Sequence, residues 1–146
     1  MLDDITAIEV LGNKVITIEN LTSFHAFNEM DYLVIFLGGF HNKIRRKFIK
    51  RLYQENPKAN YYHFGDIDAG GFYILEHLRR MTEVDFKPYK MDIEILTRFK
   101  SYTKSLTKND RERLKKLLDT DYSRTIQYML DNNCKLEQET VKQMFE

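Results

Sequence analysis

The chain has 146 residues with 23 basic and 22 acidic side chains, a size that favours one domain able to bury a core without disulfides or a structural metal. The near-balance of charge excludes a global basic field, so nucleic-acid binding would have to come from a local patch. The single cysteine, Cys134, excludes a disulfide framework and a cysteine zinc site and suits a reducing cytoplasm; no apolar run is of membrane-spanning length, and the acidic start Met1-Leu2-Asp3-Asp4 is unlike a signal peptide.

Gly12-Asn13 reads as a turn, with Thr6 to Leu11 as a candidate partner strand in a short hairpin. Val15-Ile16-Thr17-Ile18 is β-branched throughout and reads as a buried strand. Leu21 to Phe27 reads as a short helix or turn. Tyr32 to Leu37 is a second strand, apolar on both faces, ended by Gly38-Gly39. His41 to Gln54 has helical period, with Ile44, Phe48 and Leu52 on one side at four-residue steps. Asn56-Pro57 closes that helix. Tyr61 to Phe64 is a third strand. Gly65 to Gly71 reads as a loop, and Phe72 to Arg80 as a helix with Leu75 and Leu78 inward. Phe86 to Tyr89 is a candidate fourth strand.

Strand and helix alternate through this stretch, which predicts a parallel sheet covered by helices with right-handed crossovers. Beyond Met91 the pattern becomes helical: Asp110 to Leu118, Tyr122 to Asn132 and Leu136 to Phe145. The expected organisation is an α/β core over residues 1–90 and a helical extension over 91–146 on the same domain.

Three carboxylates fall at strand ends. Glu19 directly follows the first strand; Asp66 and Asp68 follow the third, with Gly65 between. In an open parallel sheet, ligands bind beyond the carboxyl ends of the strands. If the two strands are neighbours, the three acids converge and repel one another unless a cation joins them. Magnesium fits such a set, because it takes carboxylate oxygens and uses substrate phosphates as further ligands. Gly70 and Gly71 would let backbone approach a phosphate and let the next helix start close to the sheet. Acids at strand ends also serve as helix caps or face solvent. For Glu19 alone that plainer reading is the stronger. For Asp66-Ile67-Asp68 it is the weaker, because the spacing turns both carboxylates one way in extended backbone.

Rival motifs fail or fit poorly. A calcium loop of the EF-hand type would need a third acid where Gly70 stands and a Glu where His77 stands. An aspartyl-phosphate phosphatase normally carries its Asp-x-Asp after the first strand, not the third. No Walker loop, G-x-G-x-x-G or G-x-S-x-G occurs.

A Glu after the first strand, a glycine turn after the second and Asp-x-Asp after the third resemble the Toprim pattern of topoisomerases, primases and several nucleases. The words Ile18-Glu19-Asn20-Leu21-Thr22-Ser23-Phe24, Phe36-Leu37-Gly38-Gly39-Phe40 and Gly65-Asp66-Ile67-Asp68-Ala69-Gly70-Gly71-Phe72-Tyr73-Ile74-Leu75 together resemble the C-terminal domain of JetD, the nuclease subunit of the Wadjet anti-plasmid system. Leu136-Glu137-Gln138-Glu139 resembles a further word of that family. The resemblance covers most of the chain and is weakest from Thr97 to Asp121. A broader relative is the Toprim domain of the topoisomerase VI A subunit.

The resemblance implies a Rossmann-like Toprim sheet and a magnesium- or manganese-dependent DNA endonuclease, with Glu19, Asp66 and Asp68 as catalytic metal ligands and water as the attacking group. It also implies DNA and condensin-like SMC proteins as partners, leaves a homodimer open, and makes this chain a C-terminal piece of a longer protein whose winged-helix part lies upstream. Two other classes stay beside it: a non-catalytic DNA- or partner-binding module, and a Rossmann-like phosphotransferase.

Among other residues, Lys43, Arg46 and Lys47 are candidate DNA-phosphate contacts, with a solvated helix face as the equal alternative. His25, His41, His63 and His77 share no ligand spacing; His63 reads as a hydrogen-bonded core or edge residue, and His25 as structural, with orientation of a water as its functional alternative. Lys14 reads as a surface charge. Glu137 and Glu139 point to different faces at helical spacing, so at most one can supply a further metal ligand. Tyr73 and Tyr89 stand apart from the other aromatics, which read as core, but nothing marks either as a nucleophile.

Overall fold

The computed structural model describes residues 7–38 and 42–141. Its centre is strand β1, Lys14–Ile18. Val15, Ile16, Thr17 and Ile18 are all fully buried, which explains a run with no polar alternation: β1 is an interior strand covered on both faces. Strand β2, Tyr32–Phe36, pairs parallel to one side of β1, and β3, Asn60–Phe64, pairs parallel to the other. A two-residue strand β4, Lys87–Pro88, lies parallel to β3 and completes the order β2-β1-β3-β4. Every β2 residue is only half-buried despite its apolar composition, because β2 is an edge. Pro88, which cannot donate a ladder bond, sits on the opposite edge, where proline is tolerated. No helix among the described residues is long and apolar enough to cross a membrane.

Helix α1, Leu21–Ala26, links β1 to β2. Helix α2, Lys43–Glu55, links β2 to β3, and α3, Ala69–Thr82, links β3 to β4. The chain therefore leaves β1 toward one edge and returns past it toward the other. The reversal falls between β1 and β3, the crevice where open α/β sheets bind ligands. Residue 41, expected at the start of α2, lies outside the described residues.

Four local expectations are corrected. No strand forms over residues 7–10, so there is no hairpin among the described residues; Leu11–Asn13 is a 3-10 turn. The approach to β1 is anchored instead by Asn56, whose Oδ1 accepts from Val10 N at 2.9 Å and whose Nδ2 donates to Ile8 O at 2.9 Å. On α2, Ile49 and Leu52 are buried and Phe48 is half-buried, but Ile44 is 68% exposed. Four-residue steps run ahead of a 3.6-residue turn by about 40° each, so the line from Leu52 back through Phe48 has rotated outward by Ile44. The inward line passes through Arg45, whose guanidinium donates to Leu37 O.

Helix α3 starts at Ala69, so Gly70 and Gly71 belong to its first turn rather than to a loop. A Cβ at Gly71 would collide with the Asp66 carbonyl, so the glycine lets the helix begin against the acid loop. Finally, Leu136 is not helical: it forms an antiparallel bridge with Ile67.

After β4, helix α4, Ile93–Arg98, buries Ile95 and Leu96; the sequence reading had no helix there. Helices α5, Lys108–Lys115, and α6, Ser123–Asn132, follow, and α7 covers Gln138–Val141. Residues 142–145, expected to continue α7, lie outside the described residues. Leu114, Leu117, Tyr122, Ile126, Met129 and Leu136 join one core cluster with Ile16, Phe64 and Phe72.

Candidate metal and active site

The parallel register places Ile18 beside Phe64, and the Glu19 amide continues the ladder by donating to Phe64 O at 3.1 Å. The next residues outward are therefore Glu19 on one strand and Gly65-Asp66 on its neighbour. Gly65 is required here: a Cβ would run into Glu19 Oε2 and come within 3.0 Å of His63 Nε2. The three predicted acids are brought together, since Asp66 and Asp68 both act on the Glu19 carboxyl and Asp68 acts on Asp66.

Each acid is held by backbone. The Asp66 amide faces the Glu19 carboxylate. Asp66 Oδ1 accepts from Gln138 N at 2.6 Å, and Asp68 Oδ1 accepts from Gly71 N at 2.7 Å as the N-cap of α3. Each of these two carboxylates thus keeps a second oxygen for other work. Glu19 Oε2 is buried with no hydrogen-bond partner, an expensive arrangement unless something pairs with it.

The electrostatics follow. Burial, then repulsion from Asp66 and Asp68, pushes the Glu19 carboxyl up to about 8. Burial pushes Asp66 up to about 6 against the pull of the Gln138 amide, with Asp68, Glu137 and Glu139 adding to the rise. Burial raises Asp68 as well, moderated by the Gly71 amide, Lys135 and Arg113. Three carboxyls that resist ionisation at one strand-end crevice fit a hard divalent cation, which would reverse the repulsion that raises them. The side chains are not already closed around such an ion: no group of three or more His, Cys, Asp and Glu among the described residues forms a ready metal cage.

Two flanking residues were missed or only half-read from the sequence. His63 is fully buried beneath the acids, with Nδ1 2.8 Å from Thr17 Oγ1 and Nε2 3.9 Å from Glu19 Oε2. It is a core residue, as one of the two readings held, but it also props Glu19. Gln138 is fully buried and ties three pieces together: its Oε1 accepts from Asn20 N at 2.9 Å, its Nε2 donates to Phe64 O, and its own amide holds Asp66. The signal for it in the sequence is the word Leu136-Glu137-Gln138-Glu139, in which the glutamates are the more conspicuous ligand candidates. Glu137 is instead exposed and paired with Lys104 at 2.6 Å, while Glu139 accepts from Asn20 Nδ2 at 3.2 Å.

The other candidates lie apart. Lys43, Arg46 and Lys47 line a surface hollow of about 310 Å³ together with Lys50 and Met81, and none of the acids borders it. His25 is exposed and stacks edge-on with Phe24. Tyr89 is packed among Phe27, Tyr32, Tyr62 and Phe64. Lys14 lies over the Tyr32 ring.

The family model described as Wadjet protein JetD, C-terminal, matches residues 1–145. The chain belongs to this family. It is also 30% identical over 140 residues to the Wadjet protein JetD of Bacillus cereus (strain Q1), a match covering 90% of this chain and 34% of that protein. The chain therefore spans about a third of the length of this JetD relative. This chain carries its acids at the reversal point of a four-stranded, all-parallel sheet flanked by helices, an architecture consistent with a Rossmann-like Toprim fold.

Proposed function

We propose that this chain is the metal-binding catalytic domain of a DNA endonuclease of the Toprim kind, acting in anti-plasmid defence beside condensin-like SMC partners in the cytoplasm. Glu19, Asp66 and Asp68 would hold magnesium or manganese, and the reaction would be cleavage of a DNA phosphodiester. The observation that carries the reading is the convergence of three ionisation-resistant carboxyls at the β1–β3 crevice, one of them with a buried, unpartnered oxygen. Membership in the JetD C-terminal family supports the biological setting.

When bound, the cation supplies charge neutralisation at the phosphodiester. The chain's own residues supply placement. Gln138 fixes Asp66 and the ends of β1 and β3, Gly71 N fixes Asp68, and His63 stands behind Glu19. The Glu19 carboxyl holds a proton near neutral pH while no cation is present. The portion of the longer relatives that this chain does not span would complete the grip on DNA.

The test is plasmid cleavage by the full-length protein with its partners, comparing parent with Glu19→Gln and Asp66→Asn. Cleavage should disappear in both while their thermal unfolding stays cooperative; cleavage retained in either would refute the reading. A non-catalytic module is the second reading, favoured by the capping role of Asp68 Oδ1 and the absence of a ready cage among the described residues. It requires DNA or partner association that ignores magnesium.

A further inference from the structure

We propose that the groove between α3 and the segment Arg113–Thr120 is a track for the sugar–phosphate backbone of DNA. The groove encloses about 570 Å³. Its α3 wall carries Tyr73, His77 and Arg80, and its opposite wall carries Arg113 and Lys116. Spacings of four and seven residues put the three α3 side chains on one face of the helix. Asp68 caps the same helix five residues before Tyr73, so the groove runs along the helix that starts at the acid loop. From Tyr73 to Arg80 the helix rises about 10 Å, enough to follow a short stretch of one strand.

Two pairings give the groove its chemistry. The Arg113 guanidinium lies 5.1 Å over the Tyr73 ring, and the Tyr73 hydroxyl donates to Arg113 O at 3.0 Å, so the two walls are tied together at this end of the groove. Arg80 Nη2 donates to His77 Nδ1 at 3.1 Å, which holds the two side chains together on the α3 wall. The acid inside the groove, Glu76, is already engaged by the Tyr122 hydroxyl and by Arg79. Asp119 is an exposed acid on the wall.

That the anion is DNA rests on the nuclease reading, so the test separates the two. The 146-residue chain would be titrated with a labelled duplex of about twenty base pairs in EDTA at several salt concentrations, beside Arg80→Gln/Lys116→Gln and Asp68→Asn. The double variant should bind about tenfold or more weakly at low salt, with a log–log salt slope shallower by about one to two, while its metal-dependent melting matches the parent. Asp68→Asn, which removes a negative charge at the start of α3, should bind the duplex in EDTA at least as tightly as the parent. A double variant with parental affinity and slope, or a parent that binds no duplex at low salt, overturns the track. If the track holds but metal leaves the melting unchanged and full-length Glu19→Gln still cleaves, the nuclease reading fails and the DNA surface stands.

Discussion

Replacing Glu19 by Gln removes one charge from the crevice and keeps the shape of the side chain. The carboxyl is raised from 4.5 to about 8, first by burial and then by Asp66 and Asp68. The folded state therefore binds a proton more tightly than the unfolded state between those values, and stability falls as pH rises through that window. Below 4.5 both states are protonated and the contribution is fully present; above about 8 it is lost. At 1.36 kcal/mol per pH unit the whole interval corresponds to a ceiling of about 5 kcal/mol. Water entry and side-chain relaxation absorb part of it, leaving an expected gain of about 1–3 kcal/mol for the variant near pH 8. For a domain of this size that raises the melting temperature by roughly 3–10 °C. The assay is thermal unfolding of parent and Glu19→Gln in EDTA from about pH 4.5 to 8.5. The two curves should meet at the acid end and diverge with pH. A variant no more stable than the parent at the basic end, or a difference independent of pH, would refute the electrostatic account.

Asp66→Asn should behave in the same direction over the lower window from 3.8 to about 6, with a smaller gain in EDTA, as parallel melts would show. Gln138→Ala deletes the bonds to Asn20 N and Phe64 O; Phe64 O keeps the Glu19 amide, but the Asn20 amide is left unmatched, which should lower stability by about 1–3 kcal/mol in urea unfolding. Gly71→Ala places a Cβ against the Asp66 carbonyl and should destabilise by about 1–3 kcal/mol while weakening manganese binding, because the acid loop must shift. Neutralising Lys43, Arg46 and Lys47 together should flatten the salt dependence of DNA binding by about one to three; an unchanged slope would make that surface a plain solvated face.

The strands were legible because β-branched runs over Val15–Ile18 and aromatic-apolar runs over Tyr32–Leu37 and Tyr61–Phe64 have few alternatives to a buried sheet. The acid site was legible for the same reason: once β1 and β3 are strands, Glu19 and Asp66 can only stand at their ends. Adjacency of β1 and β3 was not legible, since the order β2-β1-β3-β4 is set by crossover handedness and packing rather than by any local word. The start of α3 was misread because glycines usually mark loops, whereas Gly71 is small here for a tertiary reason. Helix α4 was invisible because six residues carry too little period to register, although Asp92 caps it. Gln138 was overlooked because a neutral amide carries no chemical signature until its three partners are seen.

The most direct measurement is manganese binding to this chain by calorimetry in buffers of different ionisation heat, beside Glu19→Gln, Asp66→Asn and Asp68→Asn. With Glu19 raised to about 8, binding near neutral pH must displace a proton, so the parent should bind manganese with proton release and gain affinity as pH rises toward 8. Each variant should lose most of that affinity, and Glu19→Gln should lose the proton release. Absence of manganese binding by the parent, or binding that all three variants retain unchanged, would contradict the assignment of a cation to these acids.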